Sequence, residues 1–172
     1  MWQKIYKNIL TKTLVVLLPL TLQACTTVNP ATGQRDFTPF MSPAKEMQLG
    51  KQEHPAILQQ NGGTYDDPAV TKYVNDLGQR LVANSELSDY PFTFTVLDTP
   101  LVNAFALPGG YVYVTRGILG MVNSESALAS VIGHEIGHVT ARHSAKRYNN
   151  QMFTGIGAAI LGAVSGDSAV AN

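Results

Sequence analysis

His134-Glu135-Ile136-Gly137-His138 is the stretch of this sequence whose residue types and spacing can do chemistry. On a helix, positions i and i+4 share a face, so the two imidazoles can hold one metal ion together. Glu135 is offset by about 100° in the helical period, which leaves it beside the ion's open side. Zinc accepts nitrogen ligands and lowers the pKa of a bound water to about 7. A carboxylate placed there can take the water's proton as it attacks a peptide carbonyl. The spacing therefore implies zinc-dependent hydrolysis, with His134 and His138 as metal ligands and Glu135 as general base. The competing reading is two histidines merely packed on a helix.

That motif needs a rigid support, and the surrounding sequence supplies one. Asn123 or Ser124 caps a helix expected from about Glu125 to Arg147. Leu128, Val131, Ile132, Ile136 and Val139 form the apolar stripe that buries it, as a site of fixed geometry requires. Gly133 and Gly137 weaken such a helix by about 1 kcal/mol each against Ala. They are expected to admit a neighbouring backbone or a substrate.

Upstream, Ser42-Pro43 and Asp67-Pro68 are start signals for two scaffold helices. The first runs to about Gln60 and stops at Asn61-Gly62-Gly63; the second carries Val70, Tyr73, Val74, Leu77 and Leu81 at helical spacing. Phe92 to Leu97 alternates as a half-buried strand. A further strand pair flanks Pro108-Gly109-Gly110, with Asn103, Ala104, Phe105 and Ala106 before it and Tyr111 to Thr115 after it. A plain hairpin accounts for part of this pattern. Functionally, the edge formed by Asn103, Ala104, Phe105 and Ala106 is expected to pair with a substrate backbone beside the metal.

The 172 residues suffice for one domain, with twelve basic residues balancing twelve acidic ones. Lys4, Lys7 and Lys12 lie in the first twelve positions, so the remainder is mildly acidic, and no basic patch points to nucleic acid. Arg142, Lys146 and Arg147 suit the C-terminal dipole of the metal helix. The three lysines and the apolar run from Leu14 to Leu20 form an export signal too short to span a bilayer. Leu22-Gln23-Ala24-Cys25 resembles a bacterial lipobox, and Cys25 is the chain's single cysteine. The expected organisation is a signal peptide over 1–24, a lipidated extended tether over 25–41 and a catalytic domain over 42–172. Thr26 after the cysteine, rather than Asp, implies sorting to the outer membrane. The small apolar stretch 152–164 is short for a membrane span and reads as a buried or mobile connector.

From Asn103 to Arg147 the sequence resembles the zinc metallopeptidases typified by HtpX, the CAAX prenyl endopeptidase, BepA and LoiP. The run Asn103-Ala104-Phe105-Ala106-Leu107-Pro108-Gly109-Gly110-Tyr111-Val112, then Thr115-Arg116-Gly117, then His134 to His138 with Arg142-His143, carries the resemblance. It implies an α+β zincin-like fold, mostly helical with a small β-sheet or hairpin beside the metal helix. It implies one zinc ion held by His134, His138 and a glutamate on a later helix, with Glu135 as base. It also implies polypeptide substrates in the bacterial envelope, protein quality control there, and partners in envelope assembly.

After Glu135 the sequence offers one further carboxylate, Asp167 in a Ser-Gly-Asp-Ser loop, which is not read as a ligand. His143 lies five residues from His138, about 140° around a continuous helix, and is expected to face away from the metal. A third ligand is therefore expected beyond Asn172, in a longer peptidase of which this chain is the first part. The alternative is a catalytically inactive, lipid-anchored binding or chaperone-like module with an incomplete zinc site.

Overall fold

The computed structural model describes residues 26–165, with side chains to residue 159; the leader, Cys25 and Asp167 lie outside them. The chain order is β1 (Thr26–Val28), β2 (Arg35–Phe37), α1 (Pro43–Gln60), α2 (Pro68–Val82), β3 (Thr93–Leu97), β4 (Ala104–Leu107), β5 (Tyr111–Thr115), α3 (Arg116–Leu119), α4 (Glu125–Thr140) and α5 (His143–Ser165). The result is the expected α+β fold, mostly helical with small sheets.

Each long helix before the metal motif begins where its cap allows. Ser42 accepts from Lys45 N ahead of Pro43, and Asp67 accepts from Ala69 and Val70 ahead of Pro68. Such caps satisfy backbone donors that the first helical turn leaves unpaired. Ser124, not Asn123, caps α4 by accepting from Ala127 N.

Three strands form one sheet in the order β3-β5-β4, with β5 parallel to β3 and antiparallel to β4. The β4–β5 hairpin turns through Gly109 and Gly110, both at φ +85, a conformation that side chains with a Cβ rarely adopt. Val74, Leu77, Phe92, Phe94, Val96, Val112, Val114, Leu128, Ile132 and Ile136 share one core between α2, the sheet and α4. β3 is buried over four of its five residues instead of half-buried: Phe94 and Val96 face the core shared with α2 and α4, while Thr95 pairs with Tyr113 on the other face, where His54 of α1 lies 2.6 Å from the Tyr113 hydroxyl.

Three local expectations are corrected. The stretch after Cys25 is no extended tether: β1 and β2 pair as a hairpin, and Asn29 at its turn is fully buried. Asn29 donates to Ala141 O at 3.0 Å, and Ala31 N donates to Thr140 O at 3.4 Å, so this arm satisfies carbonyls left free at the end of α4. The metal helix does not continue to Arg147. It ends at Thr140, Arg142 takes φ 52, and α5 leaves from His143 in a new direction. The small-residue stretch is part of α5, with Met152, Phe153 and Ile156 exposed, and so is not a buried connector over its described residues. No helix among the described residues is long and apolar enough to cross a membrane.

Candidate metal centre

His134 and His138 lie on one face of α4, their ring centroids 4.6 Å apart and nearly perpendicular. One ligand atom from each, together with a carboxylate oxygen of Glu135, falls within a mutual 4.8 Å. Imidazole nitrogens are donors that zinc accepts, and the pair on one face fits a single ion with the Glu135 carboxylate close beside it. No other carboxylate or thiol among the described residues joins this group. His134 is exposed and Glu135 is 8% exposed, so the carboxyl backs onto protein while the first imidazole opens to solvent. Burial pushes the Glu135 carboxyl up from its ordinary range, and the charges of His138 and His134 pull partway back.

Leu128, Ile132 and Ile136 are buried in the core, which fixes α4 from below. At its start Glu125 accepts from Tyr73 Oη at 2.9 Å and Arg80 Nη2 at 3.2 Å, tying the helix to α2. Gly133 and Gly137 face open space: a Cβ at either would meet nothing within 4 Å. The expected neighbouring backbone is therefore absent among the described residues.

β4 is the outer strand of its sheet, and α4 packs against it. Thr115 N donates to Asn103 O at 3.1 Å. Antiparallel pairs alternate between bonded and non-bonded, so Asn103, Phe105 and Leu107 turn their backbone polar groups toward β5. Ala104 and Ala106 then turn theirs to the free edge. An open cleft beside that edge is lined by Asn103, Ala104, Ile118, Val131, His134 and Glu135. A more enclosed apolar cavity of about 180 Å³ lies at the other end of β4, among Leu87, Tyr90, Ala106, Leu107, His138 and Val139. The strand thus passes from one hollow to the other alongside the histidine pair.

His143 is a correction. Instead of facing away, its Nδ1 lies 2.6 Å from His138 Nδ1, with the rings 4.9 Å apart. The left-handed turn at Arg142, between the two helices, turns it back. Burial holds the His143 ring below the ordinary histidine value, and His138, Lys146 and Arg147 push the same way. The turn is fastened by the buried Arg142, which donates from Nε to Glu46 Oε2 at 3.2 Å and from Nη2 to Met41 O at 2.9 Å, and also bonds Thr27. Sequence reasoning missed this cluster because its partners lie about a hundred positions apart; the one local hint was the Arg142-His143 pair just after the motif.

Known proteins share this stretch. The pattern of peptidase family M48 matches residues 68–171. The chain is similar to the beta-barrel assembly-enhancing protease of Yersinia pestis, 45% identical over 85 residues that are 49% of this chain and 18% of that protein. The protein of the same name from Escherichia coli strain K12 is 38% identical over 111 residues, 64% of this chain and 23% of that protein. Mitochondrial metalloendopeptidase OMA1 of Schizosaccharomyces pombe is 46% identical over 78 residues, 45% of this chain and 23% of that one. The matched stretch spans about a fifth of the length of these relatives.

Proposed function

The chain belongs to peptidase family M48, and from that premise we propose that it is a zinc-dependent metalloendopeptidase of the bacterial cell envelope. Its substrates are misfolded or misassembled envelope proteins, a reading supported by its likeness to proteases named for β-barrel assembly. The observation that carries it is the convergence of His134, Glu135 and His138 within 4.8 Å on a helix buried from below. The family match favours this over the non-catalytic binding module.

His134 and His138 hold the ion, and the third protein ligand is a glutamate on a later helix, outside the described residues. Zinc, when bound, supplies a Lewis acid that polarises the scissile carbonyl and makes water a better nucleophile. Glu135 takes the proton of the attacking water on a carboxylate oxygen and delivers it to the departing amine. Its burial raises its basicity without removing it from the histidine face. The substrate lies as an added strand along β4, bonded to the outward backbone groups of Ala104 and Ala106, with Asn103 and Phe105 fixing the strand's position. Side chains of the substrate then enter the cleft and the apolar cavity at the two ends of β4.

The chain reaches the envelope by its leader and is held there through lipid on Cys25, facing the periplasm from the outer membrane. The β1–β2 hairpin follows the anchor immediately, so the catalytic body sits close to the bilayer and near assembly machinery that handles new barrels. Palmitate labelling that persists in Cys25→Ser contradicts the anchor. For the metal, chelator competition on protein that includes the later glutamate should find one tight zinc per chain, lost in His134→Ala and in His138→Ala. Wild-type protein that retains no zinc contradicts the proposed chemistry.

A further inference from the structure

We propose that His143 is a positioning residue for the metal site, fixing His138 in the tautomer that carries its proton on Nδ1. The inference rests on the zinc reading above for its purpose, though not for its geometry. The two Nδ1 atoms are 2.6 Å apart, close enough that one ring must donate and the other accept. They are too close to be two ligands of one zinc ion. Tetrahedral bonds of about 2.0–2.1 Å put donor atoms roughly 3.3 Å apart.

The choice of donor follows from what His138 has to do. A neutral imidazole carries one proton, and the ring nitrogen that ligates must be free of it. With Nδ1 engaged by His143, Nε2 is the nitrogen left to face His134 and the ion. His138 therefore donates from Nδ1, and His143 accepts with its own proton on Nε2. Partners of this kind orient ligand imidazoles and raise their basicity, and losing one typically costs about 10- to 100-fold in metal affinity. Acceptors in such pairs are usually carboxylates or carbonyls. Here an imidazole serves, because the left-handed turn at Arg142 brings the first residue of α5 back over the end of α4.

That turn is anchored far from the metal motif. Arg142 is held by Glu46 of α1, by the Met41 carbonyl and by Thr27 of β1, while Asn29 bonds the Ala141 carbonyl. The arm that follows Cys25 thus sets the position of His143, and through it the ring of a zinc ligand.

Two readouts test the assignment on the purified protein. Long-range proton–nitrogen spectra of the imidazoles in metal-free protein should show His138 protonated at Nδ1. His143→Ala should abolish that signature, and His143→Asn, whose Oδ1 takes the place of Nδ1, should restore it. Competition with a zinc chelator should show affinity about 10- to 100-fold weaker in His143→Ala and largely recovered in His143→Asn. His138 protonated at Nε2 in the wild type, or zinc affinity within twofold in His143→Ala, overturns the inference. So does a lower melting temperature of metal-free His143→Ala accompanied by no recovery in His143→Asn, which marks a purely structural residue. Should the wild type bind no zinc, the proposed chemistry fails, while the metal-free spectra still decide whether His143 fixes the His138 tautomer.

Discussion

Arg142 and Glu46 meet across 96 positions of sequence, Nε to Oε2 at 3.2 Å, with side chains only 5% and 10% exposed. Burial pushes the Glu46 carboxyl up and Arg142 pulls it back. Removing one partner of a buried pair leaves a charge without compensation, at a cost of about 3–5 kcal/mol. Arg142→Ala should lose stability in that range by denaturant titration. Arg142→Gly should lose about 1 kcal/mol less, since glycine adopts φ 52 without steric cost. An Arg142→Ala protein within 1 kcal/mol of the wild type would contradict this account of the turn.

Asp36 gives the arm a dependence on acid. Burial works to raise its carboxyl, but hydrogen bonds from Asn29 and Lys146, with the charges of Lys146 and Arg142, hold it below the ordinary value of 3.8. A carboxyl depressed on folding adds stability that is present above its unfolded pKa and lost as pH falls through the folded one. Asp36→Asn should therefore be less stable than the wild type at neutral pH, and the gap should close as pH falls below 3.8. A gap that widens in acid has the wrong sign.

How far sequence reached can be judged around this same arm. Ser42, Asp67 and the glycines of the hairpin turn act within a few residues of themselves, so their structure was legible. The histidine pair was legible for the same reason, because helical period alone brings i and i+4 together. The break after Thr140 was not. Ala141 and Arg142 are ordinary helix formers, and the Arg142 side chain is held by Glu46, Met41 and Thr27, all remote, with Arg142 in a left-handed turn. A tertiary contact overrode local propensity there, and it carried His143 from the far side of a helix to the metal ligand. The arm itself looked like a tether because the buried residue at its turn, Asn29, reads as a loop residue until its partner Ala141 is known.

Gly133 lies in the metal helix with nothing near its missing Cβ. Gly133→Ala should raise stability by about 1 kcal/mol, read as an increase in denaturation midpoint. Should activity fall at the same time, the open face above Gly133 belongs to the substrate. A destabilised Gly133→Ala would show instead that the helix is crowded there.

The edge strand separates folding from substrate binding. Ala106 turns its N–H outward, and proline is tolerated on such an edge because no ladder bond is lost. Ala106→Pro should melt within a few degrees of the wild type but cut peptides about tenfold less well in kcat/KM, the worth of one hydrogen bond. Phe105→Pro, which removes a donor facing β5, should be the less stable of the two. Equal cleavage by Ala106→Pro and the wild type would remove β4 from the substrate path.

Peptide cleavage by Glu135→Gln, measured on protein shown to contain zinc, reaches the central claim most directly. Glutamine keeps the shape of the side chain and cannot accept the proton. The account predicts that zinc content stays near that of the wild type while kcat falls by about 10²- to 10⁴-fold, the usual contribution of a positioned general base. Cleavage at the wild-type rate by zinc-loaded Glu135→Gln would contradict it.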